Sequence, residues 1–159
     1  MNPEFQKQIL NPIKFRLFML SRLPAAFFAG LRVKELSGHK AVVSVRYKWF
    51  TQNPFRSMYF AVQSMAAEMS TGLLASGHIY KRNPAISMLV VGIEAKFFKK
   101  ATDVVSFTCN DGEAILQQIE EAVVTGEPRT IKCRSEGTDI AGDVVSEFFI
   151  TWSFKARTK

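Results

Sequence analysis

One segment of the 159-residue chain carries the residue types from which a catalytic site could be built. It begins at Asn53-Pro54 and runs to Glu68, the one carboxylate in a helical stretch rich in Ala, Met, Ser and Gln. Burying such a carboxylate is costly unless it is satisfied, and desolvation raises its pKa toward values useful to a general base. The spacing alone leaves a second interpretation open, in which Glu68 points to solvent or pairs with a basic strand residue.

A long helix is predicted to position this carboxylate. Asn53 is typical of a helix N-cap and Pro54 of a first helical position, so the pattern predicts a helix over residues 54–76. Its many small residues would let it lie close against a sheet. Two further helices are predicted at residues 12–22 and 112–124.

Alternating apolar residues predict about six strands around the long helix. The predicted strands cover residues 27–36, 40–50, 87–98, 103–109, 129–136 and 142–157. The third strand is predicted to place on one face Leu89, Val91, Ile93, Ala95 and Phe97. We expect antiparallel pairing, and therefore an α+β fold in a single domain that spans residues 1–159.

Composition and charge narrow the classes of function. The chain is 47% hydrophobic, and its uncharged apolar stretches are too short for a membrane span. No secretory signal pattern opens the sequence, so we expect a cytoplasmic protein. The net charge is +7, yet the basic residues are scattered and no nucleic-acid motif is present, so we expect no nucleic-acid partner. Cys109 and Cys133 have no metal-ligand spacing, and we expect them to be small core or surface residues and not nucleophiles.

The segment from Asn53 to Glu68 resembles the signature of PaaI-type hotdog-fold acyl-CoA thioesterases, which runs Asn-Pro-Leu-Gly-x-x-His-Gly-Gly and then a helical Asp or Glu. Asn53, Pro54 and Phe55 fall on its start, Glu68 on its carboxylate and Gly72 on the small residue that follows. The order of predicted elements extends the resemblance over nearly the whole chain. It implies a hotdog fold, in which an antiparallel sheet of five to six strands wraps around one long helix. It also implies a homodimer joined sheet edge to sheet edge, with a homotetramer as the larger alternative.

The resemblance further implies hydrolysis of an acyl-CoA or acyl-carrier-protein thioester, with coenzyme A as part of the substrate and neither a separate cofactor nor a metal. Glu68 would be the general base or nucleophile, acting from across the dimer interface. Asn53 would position the attacking water or the carbonyl, and the backbone N–H of Phe60 would polarise that carbonyl. The remaining candidates are Tyr59 for catalysis, and Arg56, Ser64, Lys99 and Lys100 for substrate binding.

Departures from the motif favour an alternative function. Arg56 replaces the motif's first Gly, Tyr59 its His, and Phe60-Ala61 its Gly pair. A Tyr can hydrogen-bond but does not titrate near neutral pH, and Phe60 narrows the space for an acyl chain. The alternative is therefore a module that binds acyl-CoA, a fatty acyl chain or acyl carrier protein without turning it over. Three simpler interpretations stay open: Tyr59 and Phe60 as core aromatics, Lys99-Lys100 as a solvated pair, and the 12–22 helix as a lid or a membrane-surface helix.

Overall fold

The computed structural model describes residues 1–157. Three helices open the chain, α1 (Pro3–Leu10), α2 (Pro12–Arg22) and α3 (Pro24–Ala29). The elements that follow are β1 (Arg32–Leu36), β2 (Ala41–Arg46), α4 (Phe60–Ile79), β3 (Ile86–Phe97), β4 (Val104–Cys109), α5 (Gly112–Thr125), β5 (Arg129–Thr138) and β6 (Val144–Ala156). The predicted 12–22 helix is confirmed, and α5 matches the prediction to within one residue.

The six strands form one antiparallel sheet in the order β1-β2-β4-β5-β6-β3. Helix α4 packs against β2, β4, β5 and β6, so the sheet curves around it. The inner face of the sheet supplies large side chains, among them Phe107, Phe148 and Phe154, whereas α4 supplies small ones such as Ala66 and Ala67. This pairing lets the helix lie close to the sheet, and it confirms the predicted α+β class and the sheet around one long helix.

The prediction that the long helix covers residues 54–76 is wrong at both ends, because α4 starts at Phe60 and ends at Ile79. Asn53 begins a turn instead of a helix, with its N–H donating to the Ser57 carbonyl at 2.8 Å. Arg56 has a φ of +56°, which no right-handed helix accommodates. The fixed φ of Pro54 suits a turn as well as it suits a helix, so the sequence signal was ambiguous.

Helix α1 was not predicted, although Asn2 and Pro3 carry the same signal that opens α2. The Asn2 side chain accepts hydrogen bonds from the N–H groups of Glu4 and Phe5, as a cap does. α1 packs against the end of α4, where a Cβ on Gly77 would lie 1.9 Å from the Met1 sulfur. The lack of a side chain at Gly77 therefore permits this contact.

The prediction that β3 shows Leu89, Val91, Ile93, Ala95 and Phe97 on one face is wrong. A β-bulge between Val90 and Gly92 shifts the register by one residue. Side chains before the bulge therefore alternate in the opposite sense to those after it. Ile93 and Ala95 pair with inward residues of β6, while Leu89 pairs with Ser153 on the outer face. A one-residue insertion of this kind leaves no mark in the apolar pattern.

Strand β3 forms one edge of the sheet, and its second side is not paired with any strand of residues 1–157. It runs for 12 residues. Four apolar side chains along it are exposed, namely Leu89, Val91, Ile93 and Phe97. A long, apolar and unpaired edge is a ready template for pairing with another strand.

The N-terminal helices pack on one another, α1 also packs on β1, and α3 packs on α4. Phe15 and Met19 of α2 are buried, and Phe15 lines one cavity with α4 and another with β1. α2 therefore lies over both α4 and the β1 end of the sheet. No helix within residues 1–157 combines the length and the apolar character needed to cross a membrane.

Candidate active site

Glu68 is the only acidic residue of α4, and its carboxylate lies in an apolar setting. It borders a cavity of about 190 Å³, whose other walls include Phe15 and Phe18 of α2 and Trp152 of β6. Within residues 1–157, no side chain pairs with its carboxylate oxygens. Burial therefore raises the pKa of the Glu68 carboxyl above its usual value of 4.5. A partly desolvated, unpaired carboxylate of this kind is a suitable proton acceptor.

The neighbours of Glu68 hold it between a glycine and an indole ring. A Cβ on Gly72 would lie 3.3 Å from Glu68 Oε1 and 3.2 Å from the Trp152 ring. The Trp152 Nε1–H donates to Thr71 Oγ1 at 2.8 Å, and that hydroxyl donates to the Glu68 carbonyl at 2.9 Å. These hydrogen bonds hold the Trp152 ring near the carboxylate. Contacts between α4 and β6 therefore create the apolar surroundings of Glu68.

A second cavity, of about 590 Å³, lies at the start of α4. Its walls are the loop of residues 53–59, the first turn of α4, and the segment from Phe97 to Ala101 that follows β3. The loop is held by two backbone hydrogen bonds, from Met58 N–H to the Ala101 carbonyl at 2.7 Å and from Tyr59 N–H to the Thr51 carbonyl at 2.8 Å. The cavity therefore joins the helix start to the edge strand.

Phe60 supplies an unsatisfied donor at this cavity. It is the first residue of α4, and within residues 1–157 neither its N–H nor that of Ala61 has an acceptor. The first N–H groups of a helix lack intrahelical partners and carry the positive end of the helix dipole. The Phe60 N–H is therefore free to donate, and its predicted role toward a carbonyl oxygen stays a prediction.

The aromatic side chains at the helix start are exposed. The interpretation of Tyr59 and Phe60 as core aromatics is therefore wrong for the single chain. Phe60 is 56% exposed and Tyr59 45% exposed, and their rings meet edge to face at 4.8 Å. Phe55, Phe97 and Phe98 are also exposed around the same cavity. An exposed aromatic cluster of this size marks a binding or contact surface.

Asn53 directs its side-chain amide into its own loop. Its Oδ1 accepts from the N–H groups of Phe55 and Ser57, and its Nδ2 donates to Ser57 Oγ at 3.1 Å. To hold water or substrate as predicted, the Asn53 amide would have to give up some of these hydrogen bonds. In this structure Asn53 shapes the loop that carries Arg56 and Tyr59.

The predicted basic residues differ in how free their charges are. Lys99 Nζ lies 2.7 Å from both Asp139 and Asp143, so its charge is already neutralised. Lys100 Nζ donates to the Phe55 carbonyl at 3.2 Å, and Arg56 is exposed without an ion pair in the described residues. Lys100 and Arg56 are thus better placed than Lys99 to meet a phosphate group.

The carboxylate and the N–H donor of one chain are far apart. Phe60 and Glu68 are separated by eight positions of α4, or about 12 Å along the helix axis. A base and an oxyanion donor must each come within about 3 Å of the reacting group. Ser64, half-buried midway between them, makes no side-chain hydrogen bond in the described residues. One chain alone therefore does not bring its two candidate groups to a single thioester.

Gln63 contributes to the second cavity and was not predicted. It is buried, its Nε2 donates to the Met58 carbonyl at 3.3 Å, and its Oε1 accepts from Ser146 at 2.8 Å. These bonds tie the loop and α4 to β6. A Gln in an apolar run, three residues after Phe60, is the sequence signal that could have pointed to it.

Both cysteines are buried, and neither thiol is activated. Burial raises the pKa of the Cys109 thiol to about 12 and raises that of Cys133 further. Among the described residues, no three His, Cys, Asp or Glu side chains gather as metal ligands would.

Comparison with solved structures supports the fold. A protein of unknown function from Pseudomonas aeruginosa, described as a probable thioesterase, superposes with a TM-score of 0.77 at 20% identity, over 94% of this chain and 99% of that one. A protein of unknown function from Chlorobaculum tepidum gives 0.74 at 14%, over 94% and 99%. A thioesterase from Haemophilus influenzae gives 0.66 at 9%, over 98% and 97%. The hotdog fold that the sequence motif implied is therefore confirmed.

The sequence itself assigns a family. No protein of curated function matches the chain. Residues 14–154 match the family described as domain of unknown function DUF4442. This range includes the second cavity, Glu68, strands β1 to β5 and all but the last two residues of β6. The chain is thus a hotdog-fold protein that belongs to the DUF4442 family.

Proposed function

We propose that this protein hydrolyses an acyl thioester of coenzyme A or acyl carrier protein, with Glu68 as the reactive carboxylate. The observation that carries the proposal is the setting of Glu68, which is unpaired among residues 1–157 and partly desolvated beside Trp152. An unpaired carboxylate at this position does not stabilise the fold, because burying it lowers the free energy of unfolding. The fold's likeness to proteins described as thioesterases adds support at the level of analogy.

In the proposed reaction, water attacks the thioester carbonyl carbon while Glu68 accepts one of its protons. The carbonyl oxygen becomes an oxyanion, which the Phe60 N–H stabilises together with the helix dipole. The C–S bond then breaks, and the leaving sulfur takes the proton that Glu68 accepted from water. A free acid and a thiol result, and the Glu68 carboxylate is restored. Direct attack by the carboxylate would form an anhydride before water enters. Both routes need Glu68 in its ionised form.

The proposed site needs two copies of the chain. Within one chain the backbone positions of Phe60 and Glu68 are about 12 Å apart along α4. The Glu68 Oε1 lies near Gly72, farther from Phe60, so one thioester does not reach both groups. The unpaired β3 edge offers a way to bring a second copy close, and exposed Val91 and Ile93 would be covered by strand pairing. We infer a homodimer in which Glu68 of one copy faces the Phe60 N–H of the other. The homotetramer, the cytoplasmic location and the absence of a separate cofactor stay predictions.

Thiol release from short, long and aromatic acyl-CoA esters tests this function. We expect Glu68→Gln to lose a factor of about 10²–10⁴ in turnover, the usual contribution of a general base. Glu127→Gln, which removes an exposed carboxylate that has no ion pair within residues 1–157, is the matched control and should retain full activity. A folded Glu68→Gln protein that turns over substrate at the wild-type rate would exclude Glu68 as the reactive group.

The exposed aromatic cluster favours one alternative, a module that binds acyl thioesters without hydrolysis. Phe60 and Tyr59 stand where related motifs have Gly and His, and their rings narrow the route to the helix start. In that case acyl-CoA would raise the unfolding temperature while no thiol is released from any ester. Turnover by the wild type that Glu68→Gln removes would exclude this alternative.

A further inference from the structure

The N-terminal part of the chain has an unusual charge distribution. Six basic residues and no acidic residue lie between Phe5 and Lys34, so this segment holds most of the net charge of +7. The six are Lys7, Lys14, Arg16, Arg22, Arg32 and Lys34. None of them forms an ion pair within residues 1–157, whereas many basic residues later in the chain do. The segment therefore presents uncompensated positive charge.

The same segment presents an apolar stripe to solvent. Phe15 and Met19 fix the inward side of α2, and the opposite side carries Ile13, Leu17 and Leu20. Ile13 is 71% exposed and Leu17 62% exposed. Aliphatic side chains at this spacing form one line along a helix. We call Ile13, Leu17 and Leu20 the α2 stripe.

A cationic cavity of about 460 Å³ lies between α3 and strands β1 and β2, and Arg16 of α2 lines it. Five basic residues line it, and no acidic residue does. They are Arg16, Arg32, Lys34, Arg46 and Lys48. The Arg16 guanidinium also lies 4.6 Å from the centre of the Phe27 ring, which holds it at the cavity wall. A cavity with this lining fits the phosphate of an anionic headgroup.

We propose that α2 and the cationic cavity dock the protein on an anionic lipid bilayer. The α2 stripe would enter the boundary between headgroups and acyl chains, and the flanking cations would meet lipid phosphates. A second copy of the chain does not fit this face, because a two-fold contact would set one uncompensated positive surface against another. Nucleic acid would leave the aliphatic stripe without a partner.

Vesicle co-sedimentation tests the docking. The probes are vesicles of phosphatidylcholine alone and vesicles with about 30% phosphatidylglycerol. We expect the wild type to bind only the anionic vesicles, and less tightly as salt rises. Ile13→Gln/Leu17→Gln should weaken binding at least about tenfold, because it removes the apolar part of the contact. The matched control is Val124→Gln, which changes an 84% exposed side chain on α5 and should bind like the wild type.

Four outcomes would overturn the proposal. The first is no binding to anionic vesicles. The second is equal binding by wild type and Ile13→Gln/Leu17→Gln, which would indicate attraction to any polyanion. The third is complete displacement by millimolar inorganic phosphate, which would assign the cavity to a soluble anion. The fourth is a change of oligomeric state in Ile13→Gln/Leu17→Gln, measured by light scattering, which would make the α2 stripe a contact between copies.

Discussion

Helix α4 borders two cavities that differ in what they offer a ligand. The cavity at its start is large, is rimmed by exposed aromatic rings, and holds the free N–H of Phe60. The cavity around Glu68 is smaller, lies under α1 and α2, and holds a carboxylate with raised pKa. In the proposed function, each cavity supplies one of the two groups that thioester hydrolysis needs. We therefore propose that a pair of chains completes the site, so that substitutions at the two cavities should have separable effects.

After Glu68→Gln, removing the donor at the helix start should have the largest effect on turnover. Phe60→Pro deletes the backbone N–H, and Pro is well accepted at the first helical position. Tyr59 has a ψ of 134°, which suits a residue before Pro. We expect turnover to fall about 10²–10³-fold, as for loss of one oxyanion donor. Phe60→Ala, which removes the ring and keeps the N–H, is the control and should retain most of the turnover. Equal losses in both variants would assign the effect to the ring.

Blocking the β3 edge should separate the two cavities without altering either. Leu89→Lys/Val91→Lys places like charges along the unpaired edge, which opposes pairing with a second copy. We expect a monomer by light scattering and a loss of activity of at least about tenfold at micromolar concentration. Ile140→Lys, at another exposed apolar residue, should remain dimeric and active. A fully active monomer would show that one chain suffices.

Glu68 should lower stability at neutral pH. Burial raises the pKa of folded Glu68 above that of the unfolded chain, so the folded protein binds this proton more tightly. The free energy of unfolding therefore falls as pH rises between the two pKa values. Glu68→Gln cannot ionise and so does not lose this stability. We expect its melting temperature to exceed that of the wild type at about pH 8, and the two melting temperatures to approach each other at about pH 4. A variant that is less stable than the wild type at pH 8 would contradict the desolvated setting.

The smallest expected effect concerns the loop of residues 53–59, which lines the cavity at the start of α4. Arg56 adopts a φ of +56°, in the left-handed region that favours glycine, and the resembled motif has Gly at this position. Arg56→Gly should therefore stabilise the protein by about 0.5–1 kcal/mol in chemical denaturation. Arg56→Ala keeps the strained backbone and should bring no such gain. A similar gain from both would point to the guanidinium, not to φ.

Most of the fold could be predicted from the sequence, but local signals alone did not distinguish a helix start from a turn. Asn11-Pro12 and Asn53-Pro54 are the same dipeptide, and in both the Asn side chain accepts from backbone N–H groups that follow. The first opens a helix and the second a turn, because tertiary bonds hold Met58 and Arg56 turns the backbone away. In β6 the alternate residues Phe148, Ile150, Trp152 and Phe154 are buried, as the period of two of a half-buried strand predicts.

The candidate site was predictable in its residues and not in its layout. A lone Glu on an apolar helix pointed to Glu68, and the structure agrees with a desolvated carboxylate. The ion pairs of Lys99 depend on residues distant in sequence, Asp139 and Asp143. The hydrogen bonds of Asn53 are local, but they depend on the turn that its loop adopts. The bulge in β3 likewise follows from pairing with β6 and not from local propensity.

Subunit mixing tests the central claim, that each site takes Glu68 from one chain and the Phe60 N–H from the other. Glu68→Gln and Phe60→Pro proteins are each expected to be nearly inactive as pure dimers. Random reassociation of equal amounts makes half of the dimers mixed, and each mixed dimer has one intact site of two. We predict recovery of about a quarter of wild-type thiol release. No recovery, with mixed dimers demonstrated by mass spectrometry, would place both groups in one chain and contradict the account.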